Sequence, residues 1–383
     1  MYIYADNAAS APLRKSALEA MLPYLTEYCG NSSALHRAGE ALRDAEERAK
    51  TAIAAALGCR KARVILTSGG CEANCQAIFS AAALGEKTGR KHIVSTGFEH
   101  SSVKEALAFL AEHGFSVTLV NPDSDGFIHT EDIKKALRHD TCLVSVMCAN
   151  NEVGTVQPVK EIGTLCRENG IIFHTDAVQA AGHIHINTDE ICADLLTVSA
   201  HKFGGPKGTG ALIINNAAIA PLPLIFGGKT QDGARGGTVD TAGAVGMAAA
   251  LTEACGSIEK KNERLYKARL TLIDGLLKIP GAVLNGSEEN SLPGIVNVSF
   301  SRIEGERLVL LLDTKGIACS SGSACSGGNA PSESLKAMGR SDEEARQPVR
   351  LSLGENITDE EIGYIINTVS ECVRLLRSTG TEL

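Results

Sequence analysis

From about residue 60 to residue 215 the chain alternates short apolar runs with helical stretches, and this pattern restricts the fold more than any other feature. Runs at 64–67, 92–95, 116–120, 142–148, 171–175, 195–199 and 211–214 read as strands. Several are apolar throughout, as expected of strands covered on both faces. Helical periodicity fills the intervals; the stretch 158–169, for example, closes on Gly170 as a C-terminal cap. Strands separated by helices call for crossover connections, hence an α/β fold with a mostly parallel, seven-stranded sheet between helical layers. A chain of 383 residues also exceeds the usual size of one hydrophobic core. The helical pattern continues through 242–253 and 257–277. Short strands at 295–300 and 349–353, with helices at 306–315 and 359–376, then read as a smaller α+β unit. The expected division is a large domain over 15–255 and a small one formed by 1–14 with 256–383.

Composition narrows the function classes. The net charge is -8 and no long Lys/Arg block occurs, which argues against a nucleic-acid or anionic-membrane surface. The most apolar stretch, 217–226, is short and broken by Pro221 and Pro223, so it does not span a bilayer. The first residues lack the basic and apolar regions of a signal peptide. The 12 cysteines are scattered rather than framed, and read as reduced thiols of a cytoplasmic enzyme, one of them a candidate for catalysis.

Four segments carry chemistry. Lys202 follows an apolar run, in Ser199-Ala200-His201-Lys202. A lysine that forms a Schiff base must be partly desolvated and rigidly placed, and a strand end provides both. Gly204, Gly205 and Gly208 let the backbone pass close to a ligand. A surface lysine in a glycine-rich turn is the ordinary alternative. Asp176 ends another apolar run, and neighbouring strand ends of a parallel sheet converge on one crevice. A carboxylate there suits the protonated ring nitrogen of pyridoxal phosphate (PLP); a helix-capping aspartate is the plainer reading. In Leu66-Thr67-Ser68-Gly69-Gly70-Cys71 a strand enters a glycine turn and then a helix, whose first N–H groups suit a phosphate. Cys325 sits in a Gly/Ser loop, Ser321-Gly322-Ser323-Ala324-Cys325, where a thiol is exposed and can be carried into a pocket. An incidental cysteine in a solvent loop remains the alternative.

Other motifs are set aside. Gly227-Gly228-Lys229-Thr230 ends like a phosphate-binding P-loop, but the required first glycine is Pro223. Cys71 and Cys75 have no matching second pair for a metal. His183 and His185 alternate on an extended segment and read as a polar edge.

Taken together and in order, these segments resemble the cysteine desulfurases of aminotransferase class V, of the NifS/IscS type. The resemblance runs over essentially the whole chain. It includes Tyr4-Ala5-Asp6-Asn7-Ala8-Ala9, Gly30-Asn31-Ser32-Ser33 with His36, and Phe98-Glu99-His100. It continues through Asn150-Asn151-Glu152-Val153-Gly154, His174-Thr175-Asp176-Ala177-Val178-Gln179 and Arg235-Gly236-Gly237-Thr238 to the Cys325 segment. It implies the PLP-dependent aspartate-aminotransferase-like fold (fold type I) and L-cysteine as substrate. It implies that Lys202 carries PLP and moves the substrate Cα proton, and that His100 stacks on the ring and transfers protons. Asp176 would pair with the ring nitrogen and Gln179 with the phenolic oxygen. Asn151 would lie beside cofactor and substrate. Gly70, Cys71, Ser199 and His201 would hold the phosphate, joined by Thr238 from the other protomer of a homodimer. Arg350, assisted by Asn31, would grip the substrate carboxylate. Cys325 would take the sulfur as a persulfide and pass it to an acceptor or iron–sulfur scaffold protein, itself a candidate transient iron–sulfur ligand; no resident metal is implied.

The chain departs from the family pattern in places. Ser32 stands where proline is usual, Cys71 where threonine is usual, and Asn74 and Cys75 where Asp and Asn are usual. The loop after Cys325 is about one residue shorter. Relatives of the same fold remain alternatives: a selenocysteine lyase or cysteine-sulfinate desulfinase, a class V aminotransferase with no need of Cys325, or a non-catalytic scaffold-binding protein.

Overall fold

The computed structural model describes residues 1–322 and 330–379. Cys325 therefore lies outside the described residues. The strands, in chain order, begin with β1 (Ile3–Tyr4), followed by β2 (Arg63–Thr67), β3 (His92–Thr96), β4 (Ser116–Val120), β5 (Thr141–Ser145), β6 (Ile172–Asp176), β7 (Leu195–Ser199) and β8 (Gly210–Ile214). Four shorter ones complete the set: β9 (Ala282–Asn285), β10 (Ile295–Phe300), β11 (Ile317–Ala318) and β12 (Pro348–Ser352).

Strands β2 to β8 form one sheet in the order β2-β8-β7-β6-β5-β3-β4. This is the expected seven-stranded sheet, and only β8 runs against its neighbours. The antiparallel turn from β7 to β8 is short, so residues 200–209 are held at the sheet end instead of crossing over a face. Lys202 lies in that turn, on the 3-10 segment Ala200–Lys202. Residues of β3, β5 and β7 are buried along their whole length, which explains why they read as continuous apolar runs.

Two faces of apolar side chains cover this sheet. One gathers Val144, Phe173, Leu196 and Val198 with Met247 and Leu251 of the helix Thr241–Gly256. The other gathers Ile93, Leu143, Leu195 and Leu212 with Ala77 and Ile78 of the helix Gly70–Lys87. A separate core joins Ile3 and Ala5 to Leu272, Val298, Leu312, Leu351 and Val369. It lies between the three-stranded antiparallel sheet β12-β10-β9 and the helices Ile258–Leu277 and Asp359–Ser378. The separate cores support a division at 15–255 against 1–14 with 256–383, which we carry forward as a proposal. Strand β9 has no counterpart in the sequence reading; it is a short edge strand in which only Asn285 is buried and Val283 is exposed.

The N-terminal segment is stitched between the two cores. Ala5 N donates to Ala318 O and Ser352 N donates to Ala5 O. Ala11 N donates to His201 O, and Arg14 N to Gly204 O. These bonds draw residues 5–14 across the mouth of the crevice above β6 and β7. No helix among the described residues is long and apolar enough to cross a membrane.

Candidate active site

The carboxyl ends of β2, β3, β5, β6 and β7 open on one cavity of about 570 Å³. Among the residues singled out from the sequence, Gly70, Cys71, His100, Asn151, Asp176, Gln179, Ser199, His201, Lys202 and Arg350 all line it. Segments far apart in the chain thus meet at a strand-end crevice, where open α/β sheets bind their ligands.

Lys202 Nζ donates to the carbonyl oxygens of Ala8, at 2.7 Å, and Ala9, at 3.1 Å. Gln179 Nε2 donates to the same Ala8 oxygen at 2.9 Å. Asp176 is 4% exposed. Its Oδ1 accepts from Val178 N at 2.9 Å, and its Oδ2 from Asn74 Nδ2 at 2.7 Å. Two donors on opposite oxygens hold this carboxylate in one orientation.

At the other end, Gly69 leads into the helix Gly70–Lys87 at a φ of 152°. A Cβ added to Gly70 would come within 2.9 Å of Val178 Cγ2, so the backbone runs closely along the cavity wall. A second, more open recess of about 490 Å³ adjoins here and shares Gly70, Cys71, Ser199 and His201. Lys207 also lines it. The first turn of a long helix, a hydroxyl and a lysine make this recess suited to a phosphate. Burial, with Lys202 and Lys207 nearby, pushes His201 down to about 4, so its ring is neutral near pH 7. Its Nδ1 lies 3.3 Å from Ser10 Oγ. A lysine amine, a deep carboxylate and a phosphate-type recess within one crevice are the donor set that PLP requires, and the residues present fit that group.

Arg350 projects from β12 and is 2% exposed. Its Nη2 donates to Asp6 Oδ1 at 2.7 Å, and its Nη1 to Asn151 O at 2.8 Å. Its buried Nε has no protein partner among the described residues. The arrangement leaves a rigid guanidinium at the cavity wall, suited to a carboxylate.

Two predicted residues stand apart within the single chain. Asn31 and Thr238 are exposed and line none of this cavity. Asn31 Oδ1 instead accepts from Ser33 N at 2.8 Å.

The structure also brings in residues that the sequence reading did not assign to the site. Glu99 and Glu152 line the cavity. Glu99 Oε1 accepts from Thr96 Oγ1 at 2.6 Å and Met147 N at 2.9 Å, while its Oε2 has no protein partner among the described residues. Burial raises its carboxyl to about 8 despite those two bonds, with Asp176 adding to the rise. Glu152 accepts from Ser332 Oγ at 2.6 Å and Ser334 Oγ at 2.8 Å. Both glutamates follow strand ends in segments already quoted, which was the available signal. Nothing in the spacing linked Asp6 to Arg350. Burial pushes the thiols of Cys148 and Cys319 up to about 12, which disfavours their thiolate forms.

Comparison with known proteins gives the family of the chain. The aminotransferase class-V family profile matches residues 3–365. A protein of Methanosarcina thermophila named cysteine desulfurase IscS is 43% identical over 377 residues, covering 98% of this chain and 93% of its own. A solved structure described as a NifS-like protein superposes with a TM-score of 0.91 at 33% identity, over 98% of this chain and all of the other. Another, described as SspA in complex with cysteine, gives a TM-score of 0.80 at 34% identity, over 92% and 98% of the two chains. The full-length match, together with the lysine, carboxylate and arginine gathered in one crevice, establishes that the chain belongs to the aminotransferase class V family.

Proposed function

We propose that the protein is a PLP-dependent cysteine desulfurase. It converts L-cysteine to L-alanine and receives the sulfur on Cys325 as a persulfide. The observation that carries this reading is the position of Ala330 and Pro331. They line the cavity that holds Lys202 and Asp176, and they follow Cys325 by five and six residues. A class V aminotransferase has no use for a thiol there. Cysteine-desulfurase relatives and a neighbour solved in complex with cysteine support the same reading.

PLP would be held covalently by Lys202. Asp176 would hold its ring nitrogen, Gln179 its phenolic oxygen, and Gly70, Cys71, Ser199 and His201 its phosphate. When bound, this cofactor supplies an electron sink for the charge that develops at the substrate Cα. The remaining work falls to the chain. Arg350, with Asn151 beside it, holds the substrate carboxylate, and Lys202 Nζ moves the Cα proton. Cys325 Sγ attacks the substrate sulfur. The Cβ–S bond breaks, an S–S bond forms, and a proton replaces sulfur on Cβ. Thiol plus L-cysteine equals persulfide plus L-alanine, so no outside oxidant or reductant is needed.

A cytoplasmic homodimer completes the reading. Thr238 would reach the phosphate of the partner's site, which accounts for its distance from the cavity of its own chain. The persulfide would pass to a sulfur-acceptor or iron–sulfur scaffold protein. Mass spectrometry of the PLP-loaded protein after L-cysteine tests the proposal: one added sulfur on Cys325, with alanine released, is expected. Sulfur retained in Cys325→Ser, or a keto-acid product without alanine, overturns it.

A further inference from the structure

The carboxylate of Asp176 is joined to the ring of His100 by two intervening side chains. Asn74 Nδ2 lies 2.7 Å from Asp176 Oδ2 and 3.0 Å from Ser102 Oγ. Ser102 Oγ in turn lies 2.8 Å from His100 Nδ1. Asn74 is 1% exposed and Ser102 8%. Each link therefore has few other partners to turn to.

The direction of these hydrogen bonds follows from the donor inventory. A carboxylate only accepts, so the Asn74 atom facing Asp176 is the amide nitrogen. That nitrogen only donates, so Ser102 Oγ accepts from it. The one Ser102 hydroxyl proton is then left for His100 Nδ1. The backbone N–H of Ser102 also donates to Nδ1, at 3.2 Å, because His100 caps the helix Ser101–Glu112. Two donors converge on Nδ1, which must present its lone pair. In the neutral ring the proton then sits on Nε2.

We propose that Asp176, acting through Asn74 and the Ser102 hydroxyl together with the Ser102 backbone N–H, locks His100 as the Nε2–H tautomer. His100 then serves as a fixed hydrogen-bond donor in the cavity and not as a base. A neutral ring of this form has no lone pair at Nε2. Surrendering the Nε2 proton would require a new one at Nδ1, and the relay has none to give: the hydroxyl would become an alkoxide and the amide does not ionise. In the reaction proposed above, on which the division of roles rests, proton abstraction falls to Lys202. Asn74 and Ser102 are positioning residues.

The tautomer is read directly by two-bond 1H–15N correlation spectra of the PLP-loaded protein labelled at histidine, with His100 assigned from a His100→Asn sample. Wild type should show His100 protonated at Nε2. Asn74→Asp places an acceptor beside Ser102, turning its hydroxyl away from His100, and should raise the Nδ1–H fraction several-fold. Ser102→Ala should change little alone, because the backbone donor remains. It should also abolish the effect of Asn74→Asp. A wild-type ring protonated at Nδ1 overturns the proposal, whatever the variants do. So does an Asn74→Asp effect that survives in the Ser102→Ala background. No turnover is involved, so a failed desulfurase assay leaves this result standing.

Discussion

Arg350 Nη2 and Asp6 Oδ1 lie 2.7 Å apart, although 344 positions separate them in the chain. The pair fixes a guanidinium at the cavity wall, where β12 meets the N-terminal segment. Arg350→Lys keeps the charge but loses the planar fork. Charge-assisted hydrogen bonds contribute about 1.5–3 kcal/mol. The expected result is a KM for L-cysteine raised about tenfold or more, with kcat less affected. Steady-state kinetics checks it, and an unchanged KM would remove Arg350 from substrate binding.

Lys202 Nζ donates to the backbone carbonyls of Ala8 and Ala9. Lys202→Ala removes the amine that would form the Schiff base and leaves the rest of the crevice to bind PLP weakly. The visible absorbance of lysine-linked PLP and cysteine turnover should both disappear. Full activity in this variant would be incompatible with the assignment.

Glu99 gives the stability a specific pH dependence. Its folded-state value, about 8, lies above the ordinary 4.5, so the fold favours the protonated carboxyl. That contribution is complete below about pH 4.5 and is lost as pH rises through about 8. Glu99→Gln keeps an oxygen for Thr96 and Met147 without an ionisable group. Urea midpoints of wild type should fall between pH 6 and pH 9 more than those of the variant. Parallel curves would contradict a neutral Glu99.

Cys71 stands in the recess shared by Gly70, Ser199 and His201. A hydroxyl is a better hydrogen-bond partner for phosphate than a thiol. Cys71→Thr should tighten PLP binding by several-fold, in keeping with about 1 kcal/mol for one hydrogen bond. Fluorescence titration of the apoprotein measures this, and weaker binding would show that the threonine methyl group does not fit.

The sequence by itself determined the strands of the large sheet, because most of them are covered on both faces and read as apolar runs between helical stretches. It also determined the strand-end placement of Asp176 and Lys202, since a polar residue closing such a run has only the sheet end to occupy. Family blocks in fixed order marked His100, Gln179 and Arg350. Strand β9 escaped notice, because a half-exposed edge carries no continuous apolar signal. The tertiary structure alone decided the pairing of Asp6 with Arg350, the burial that keeps Glu99 protonated, and the chain from Asp176 through Asn74 and Ser102 to His100. Those relations depend on distances and burial between segments brought together by folding. Local periodicity encodes which face a residue occupies, but not which distant donor it meets there.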